Sequence, residues 1–237
     1  MSLPEDPMLV SYRQLRRAIG MIGIALPLIL LAGGLISRED GICDSISSYY
    51  WSVAMRGVLV GSLCSIGVFL WSYRGNGKWD NWAGNAACVA AICVALFPCS
   101  PESDATHHIP CSTSQPGIPW TPGIHFTAAA VLFLLLAYFC TYSFPGQDPK
   151  TTPTPKKPLR NKIYRTCGAI IIICIAAIAL LHALFSGTPP GSSVFWLESL
   201  AIWAFGWSWY IKGQGLGVVQ DKSPTLDEPP ERQTEVI

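Results

Sequence analysis

Six long apolar runs dominate this sequence of 237 residues and limit what it can fold into. A helix needs about 20 mostly apolar residues to cross about 30 Å of hydrocarbon. Only 13% of the residues are charged, whereas a soluble domain has about 25%. The sequence therefore predicts an all-α fold, a bundle of six transmembrane helices. The predicted spans are Ala18–Ile36, Ser52–Tyr73, Trp82–Phe97, Gly123–Phe144, Cys167–Phe185 and Ser193–Ile211.

Basic residues are distributed unevenly among the segments that connect these runs. Arg13, Arg16 and Arg17 precede the first span, the second and fourth connections are basic, and Lys212 follows the last span. The first connection contains only Arg38, and the third and fifth contain no lysine or arginine. Because cytoplasmic loops are enriched in lysine and arginine, both termini are predicted to be cytoplasmic in a bacterial inner membrane.

The two ends of the chain differ in composition from the apolar runs. Residues 1–17 are predicted to form a cytoplasmic N-terminal segment, residues 18–212 one transmembrane domain, and residues 213–237 a disordered cytoplasmic tail. Gln147–Leu159, rich in Thr, Pro and Lys, is typical of a flexible linker. The first apolar run is too long for a cleavable signal peptide, so we expect a signal anchor.

Small residues recur every four positions in two of the spans. Gly57, Gly61 and Ser65 do so in the second span. The third span has such a ridge of alanines at Ala83, Ala87, Ala91 and Ala95. Small residues let helix backbones approach closely in lipid, so both ridges predict helix–helix contacts.

Ionisable side chains inside membrane spans are costly and are functional candidates by default. The four candidates are Arg56, His125, His182 and Glu198. In the predicted topology all four lie in the outer half of the membrane, within about 8 Å of its surface at about 1.5 Å per helical residue. The first connection adds Asp44 and Ser47 from the run CDSISSYYW. The sequence therefore predicts an outward-facing polar pocket that contains these six residues.

Each of these residues also has a structural interpretation. Arg56 could pair with Glu198 or extend to the outer headgroups. Asp44 and Ser47 could cap a turn. The two histidines could serve packing or hydrogen bonding alone.

A zinc site is a further alternative for the same residues. His125, His182 and Asp44 could be the ligands, with Glu198 as the base for metal-bound water. No HxxxH or HExxH spacing, which would favour zinc, occurs in the sequence.

The cysteines in the polar connections can be paired in more than one way. Cys99 and Cys111 flank the third connection, an arrangement expected of a disulfide in an oxidising compartment. Free thiols, or a bond from Cys43 to either of them, are the alternatives. The third connection also contains Glu102, Asp104, His107 and His108.

Three runs carry a resemblance to known proteins. SISSYYWSVAMRGVLVGSLCSIGVFLWSYRG, DNWAGNAACVAAICVALFP and VFWLESLAIWAFGWSWYIKG resemble a family of uncharacterised bacterial six-helix membrane proteins, a domain of unknown function. The resemblance covers most of residues 41–213 and implies the fold without an activity. Gly57 departs from the family pattern, in which an acidic residue follows the Met-Arg pair.

The chain is also distantly similar to the alkaline ceramidase and adiponectin-receptor superfamily of zinc-dependent lipid amidases. The likeness rests on Ser, Asp and His in the outer half of a helical bundle. The chain lacks the closely spaced histidine pair of that superfamily, so none of its ligands is assigned here.

Three functions are consistent with these residues. The first is binding of a lipid headgroup or small polar ligand in the outward-facing pocket. A metal-dependent hydrolase acting on an outer-leaflet lipid is the alternative enzyme, and a structural or assembly subunit of a membrane complex is the third possibility. Membrane lipids and other membrane subunits are the expected partners, and the net charge of +1 indicates no nucleic acid.

Overall fold

Six α-helices make up most of the described part of the chain, which contains no strand. The structure, a computed structural model, describes residues 7–37, 42–75, 77–100, 119–146, 155–185 and 189–219. The predicted all-α fold is confirmed. The helices are α1 (Pro7–Ile36), α2 (Arg56–Ser72), α3 (Lys78–Leu96), α4 (Thr121–Tyr138), α5 (Lys157–Leu184) and α6 (Ser193–Lys212).

Three helices begin at positions that the hydropathy pattern does not predict. α1 begins at Pro7, inside the predicted N-terminal segment and well before Ala18. α2 begins at Arg56, after Ser52, because the Ser52 hydroxyl accepts the Met55 N–H at 3.0 Å in a turn. α5 begins at Lys157, inside the predicted linker and well before Cys167. The first turns of α5 are basic, so apolarity alone could not reveal them.

The six helices form a closed ring. Each helix packs against its neighbours in sequence, and α6 returns to pack against α1. Gly20 of α1 and Gly206 of α6 lie in close backbone contact. A Cβ added at Gly206 would lie 2.9 Å from the Gly20 carbonyl oxygen and 2.9 Å from the Ile24 backbone nitrogen. At these two positions the α1–α6 contact therefore leaves no room for a side chain larger than the hydrogen atom of glycine.

The predicted alanine ridge of α3 lies buried in the bundle, but the glycine ridge of α2 does not. Ala83, Ala87, Ala91 and Ala95 are all buried. In contrast, a Cβ added at Gly57 or Gly61 would meet nothing within 4 Å. The glycines that do allow α2 and α3 to approach are Gly67 and Gly84. The prediction for Gly57 and Gly61 is therefore wrong within this chain.

Aromatic rings fill the axis of the bundle towards one end. Trp209 is fully buried, and its ring centroid lies 5.0 Å from Tyr73 and 5.1 Å from Phe144. A π-helical turn, Phe139–Ser143, ends α4 next to these rings, and the Phe144 N–H donates to the Phe139 carbonyl at 2.9 Å.

The bundle has two ends of different character. We call the end with the first connection, the end of α3 and the starts of α2, α4 and α6 the loop end. The opposite end, with the starts of α1 and α5 and the end of α6, is the terminal end. There Arg17 donates to the Gly213 and Gln214 carbonyls at 2.7 and 2.9 Å. Residues up to Val219, assigned to the tail from sequence, therefore belong to the packed bundle.

Three helical stretches are long and apolar enough to cross a membrane, namely Val10–Ile36, Thr121–Ser143 and Lys157–Leu184. α2 is apolar but shorter, at 17 residues. α3 carries Lys78 and Asp80, and α6 carries Glu198 and four tryptophans, which lower their hydropathy. These features indicate a membrane protein.

The α1–α6 contact gives a first prediction. Gly206→Ala should lower the free energy of unfolding by about 1–3 kcal/mol, because the new methyl group must displace backbone atoms. Thermal unfolding of the purified protein in detergent measures this effect. Gly61→Ala is the matched control and should be neutral or stabilising by up to about 1 kcal/mol. Equal effects of the two substitutions would contradict the close contact.

Candidate functional site at the loop end

The first connection, residues 42–55, folds back over the loop end of the bundle. Its 3-10 turn Ser47–Tyr50 follows Ile46. Ile46 and Tyr49 are buried together with Phe195 of α6 in a small apolar cluster. The Phe195 N–H donates to the Asp44 carbonyl at 2.7 Å. This segment, which we call the cap segment, is therefore part of the folded core.

Glu198 anchors the cap segment from α6. Its Oε2 accepts the backbone N–H of Ile46 at 2.6 Å, and the Ser47 N–H also interacts with this carboxylate. A carboxylate that accepts amide donors at the start of a helical turn satisfies groups that would otherwise be unpaired. The predicted ion pair with Arg56 does not form between these two described residues. Glu198 instead accepts hydrogen bonds from backbone N–H groups.

His125 anchors the same segment from α4. Its Nδ1 lies 2.8 Å from the Phe97 carbonyl oxygen and its Nε2 lies 3.0 Å from Ser47 Oγ. Because a carbonyl only accepts, Nδ1 carries the proton and Nε2 accepts from the Ser47 hydroxyl. His125 is buried and joins the end of α3 to the start of the 3-10 turn.

The Ser47–His125 pair has the connectivity of a nucleophile and a base. An acyl-transfer site also needs donors for the oxyanion, such as two backbone N–H groups. The adjacent N–H groups of Ile46 and Ser47 are both directed to Glu198. The pair therefore holds the cap segment in this conformation.

Arg56 lies at the rim of the cap segment and remains exposed. Its Nε donates to the Tyr50 carbonyl at 2.8 Å. Its guanidinium carbon lies 4.2 Å from the centroid of the Tyr50 ring and 6.0 Å from that of Trp51. The guanidinium is thus fixed on one side by the Tyr50 carbonyl and ring.

The structure does not assemble the predicted zinc ligands. Both ring nitrogens of His125 are used as above, and His182 Nδ1 lies 2.9 Å from the Ile178 carbonyl oxygen of its own helix. Asp44 is half-buried, and burial raises the pKa of its carboxyl group. Among the described residues no group of three His, Cys, Asp or Glu side chains could hold a metal ion. The third-connection residues 101–118 lie outside the described ranges.

The cysteines differ from the predicted pairing. Cys99 is a free, buried thiol and Cys43 is disulfide-bonded, so the predicted Cys99–Cys111 bond is wrong. Cys99 is instead held under the cap segment, where its carbonyl accepts the Trp51 indole N–H at 3.2 Å. Burial, and then the charge of Glu198, raise the pKa of its thiol to about 11. Cys111 lies outside the described residues.

Sequence reasoning missed the contacts that the cap segment makes within itself. Ser45 and Ser48 hydroxyls lie 2.8 Å apart, and the Ser48 N–H donates to Ser45 Oγ at 3.0 Å. The dense serines of CDSISSYYW were the available signal, since serine hydroxyls commonly replace backbone partners in turns.

The chain matches no protein-family model, no curated protein and no solved structure. The two resemblances drawn from the sequence therefore stay predictions.

The cysteine count predicts the partner of Cys43. The sequence has nine cysteines, and seven of them are free. We therefore expect Cys43 to be bonded to Cys111. Peptide mapping of unreduced protein by mass spectrometry should find these two peptides linked, and the reduced sample should not. A link from Cys99 to Cys111, or from Cys43 to a second copy of the chain, would contradict this.

The anchoring role of Glu198 gives another prediction. Glu198→Ala should destabilise the protein by about 1–3 kcal/mol for each backbone N–H left unpaired. Glu198→Gln keeps a carbonyl acceptor and should retain most of the stability. The specific readout is alkylation of Cys99, which the cap segment covers. It should accelerate in Glu198→Ala relative to Cys64 in the same sample, and an unchanged ratio would refute the anchoring role.

Proposed function

We propose that this chain is a six-span membrane protein that binds the phosphate of a lipid headgroup, or a small anionic ligand, at its extracytoplasmic end through Arg56. The observation that carries the proposal is the state of the guanidinium. The guanidinium is held against Tyr50 and is exposed. Glu198, the carboxylate predicted to pair with it, instead accepts hydrogen bonds from backbone N–H groups.

The outward surface of the ring supports six spans. Every helix exposes large apolar side chains of a kind that a soluble bundle would bury. Lipid contact removes the cost of this exposure. One example from each helix, between 45% and 65% exposed, gives Leu28, Val68, Val89, Leu134, Ile173 and Leu200.

Two independent features support an extracytoplasmic loop end. Arg56 is the one lysine or arginine at that end among the described residues, whereas those of α1, α5 and α6 cluster at the terminal end. Cytoplasmic ends of membrane proteins are enriched in basic residues. Cys43, which is disulfide-bonded, lies in the cap segment, and disulfides form in oxidising compartments. Both termini are then cytoplasmic.

The Arg56 side chain is well suited to bind a phosphate group at the loop end. A planar guanidinium can donate two parallel hydrogen bonds to phosphate oxygens, which an ammonium cannot. Its contact with the Tyr50 ring and its bond to the Tyr50 carbonyl restrict its rotation before any ligand arrives. A donor that is already ordered loses less entropy on binding.

The start of α2 offers space for the apolar part of a lipid next to Arg56. Gly57 and Gly61 have no atoms close to where a side chain would lie. The Ser65 hydroxyl is bonded to the Gly61 carbonyl at 2.7 Å, so it adds no unpaired polar group. An acyl chain lying along this smooth stripe would bring its phosphate to the guanidinium.

Native mass spectrometry of detergent-purified protein with phosphatidylglycerol tests the proposal. Arg56→Gln should lose one retained lipid and weaken its binding by about tenfold or more, since hydrogen bonds to charged groups are worth about 1.5–3 kcal/mol. Arg56→Lys should show a smaller loss. A galactolipid, which has no phosphate, should not be retained through Arg56.

Arg74→Gln is the matched control, because Arg74 lies just beyond the other end of α2. Glu198→Gln serves as a second control, since it preserves the anchoring acceptor. Loss of lipid to the same extent in Arg56→Gln and Arg74→Gln would refute a site at Arg56.

A further inference from the structure

We infer that the terminal end of the bundle contains a phosphate-binding site formed by Arg16 of α1, Lys157 of α5 and Lys212 of α6. The inference depends on these three helices and not on Arg56, so it can be tested independently of the proposed function. The sequence indicates these residues only as markers of topology.

Lys212 is the centre of the site. Its ammonium nitrogen donates to the Phe144 carbonyl at 3.0 Å and lies 5.3 Å from the Phe144 ring centroid and 5.9 Å from that of Tyr164. An ammonium has three N–H donors, and one of them is used here. The aromatic rings and the single carbonyl fix its position.

Arg16 supplies a guanidinium that is also held by rings. Its central carbon lies 4.2 Å from the Tyr12 ring centroid and 5.4 Å from that of Tyr73. Its Nε is buried and has no hydrogen-bond partner. A buried donor without a partner costs free energy and calls for an explanation, such as an ion bound nearby. An anion that accepts from the Arg16 fork would satisfy this need.

The local charge favours an anion strongly. Arg16, Lys157 and Arg160 are close enough for their charges to repel that of Lys212, and Asp80 is the one described carboxylate that acts on it in the opposite sense. Asp80 also accepts the Tyr138 hydroxyl at 3.0 Å. Among the described residues, four cations at this end thus face one acid.

The start of α5 adds to this potential. Lys157 is the first residue of a long helix, whose N-terminus carries a partial positive charge from its backbone. The other cations nearby are engaged in the fold, because Arg17 holds the Gly213 and Gln214 carbonyls and Arg160 holds the Val219 carbonyl at 3.2 Å. Beside Lys157, Arg16 has an Nε without a partner and Lys212 uses one of its N–H groups, so both retain donors for a ligand.

The ligand chemistry is a phosphate group, esterified or free, with its negative charge directed at these three residues. Two sources could provide it, an anionic lipid headgroup in the adjacent leaflet or phosphate in solution. Basic groups between membrane helices commonly bind such headgroups.

The test uses the full chain in detergent, with phosphatidylglycerol, phosphatidylcholine and inorganic phosphate as separate probes. Binding is measured by native mass spectrometry and by the shift in thermal unfolding. Lys212→Gln and Arg16→Gln should each weaken phosphatidylglycerol binding at this site by about tenfold or more. Arg56→Gln should leave it unchanged, which separates the two ends.

Lys162→Gln is the matched control, because Lys162 is exposed on α5 and loses the same charge. If Arg16→Gln does not fold, Arg16→Lys is measured in its place, together with the separate variant Lys212→Gln. Competition by inorganic phosphate assigns the site to a free anion, and its absence assigns the site to lipid. Equal loss in Lys162→Gln and Lys212→Gln, or no loss in either, would overturn the inference.

Discussion

The contact of α6 with α1 is the constraint on which the rest of this structure depends. Helices that follow each other in a chain can pack as neighbours without any closure, but a ring needs its last member to meet its first. Gly20 and Gly206 allow this, because backbone meets backbone with no side chain between them. The same approach brings Lys212 beside Arg16 and holds Glu198 over the start of the cap segment.

The loop end shows how buried polar groups divide their roles. A carboxylate near a membrane surface is costly unless donors satisfy it, and the N–H groups that begin a 3-10 turn need acceptors. Glu198 and the cap segment solve both problems together. The consequence is that Glu198 does not neutralise Arg56, whose guanidinium remains exposed. The structural role of Glu198 thereby leaves the guanidinium of Arg56 free of that carboxylate.

The sequence predicts the helices better than it predicts the contacts between them. Apolar length identifies six helices, and the alanine spacing of α3 identifies a buried face, because both are local properties. The start of α5 is missed because its first turns are basic and do not look apolar. The Gly57 ridge is misread because small residues permit a contact without requiring one.

Which side chains interact with each other at the two ends of the bundle cannot be predicted from the sequence. Opposite charges suggest that Arg56 and Glu198 pair, yet the backbone of Ile46 competes successfully for the carboxylate. The bonded cysteine is Cys43 and not Cys99, because folding places Cys99 beneath Trp51. Arg16, Lys157 and Lys212 lie far apart in sequence, so only the closed ring shows that they belong together.

A ring of six helices could surround a conduit, but this one does not. Its centre is occupied by Trp209, Phe205, Leu70 and Ile19, which are almost completely inaccessible within the described bundle. Ions or solutes have no route along the axis between Arg56 at one face and Arg16 at the other. The charged groups at the two ends of the bundle are therefore separated by a packed apolar and aromatic interior.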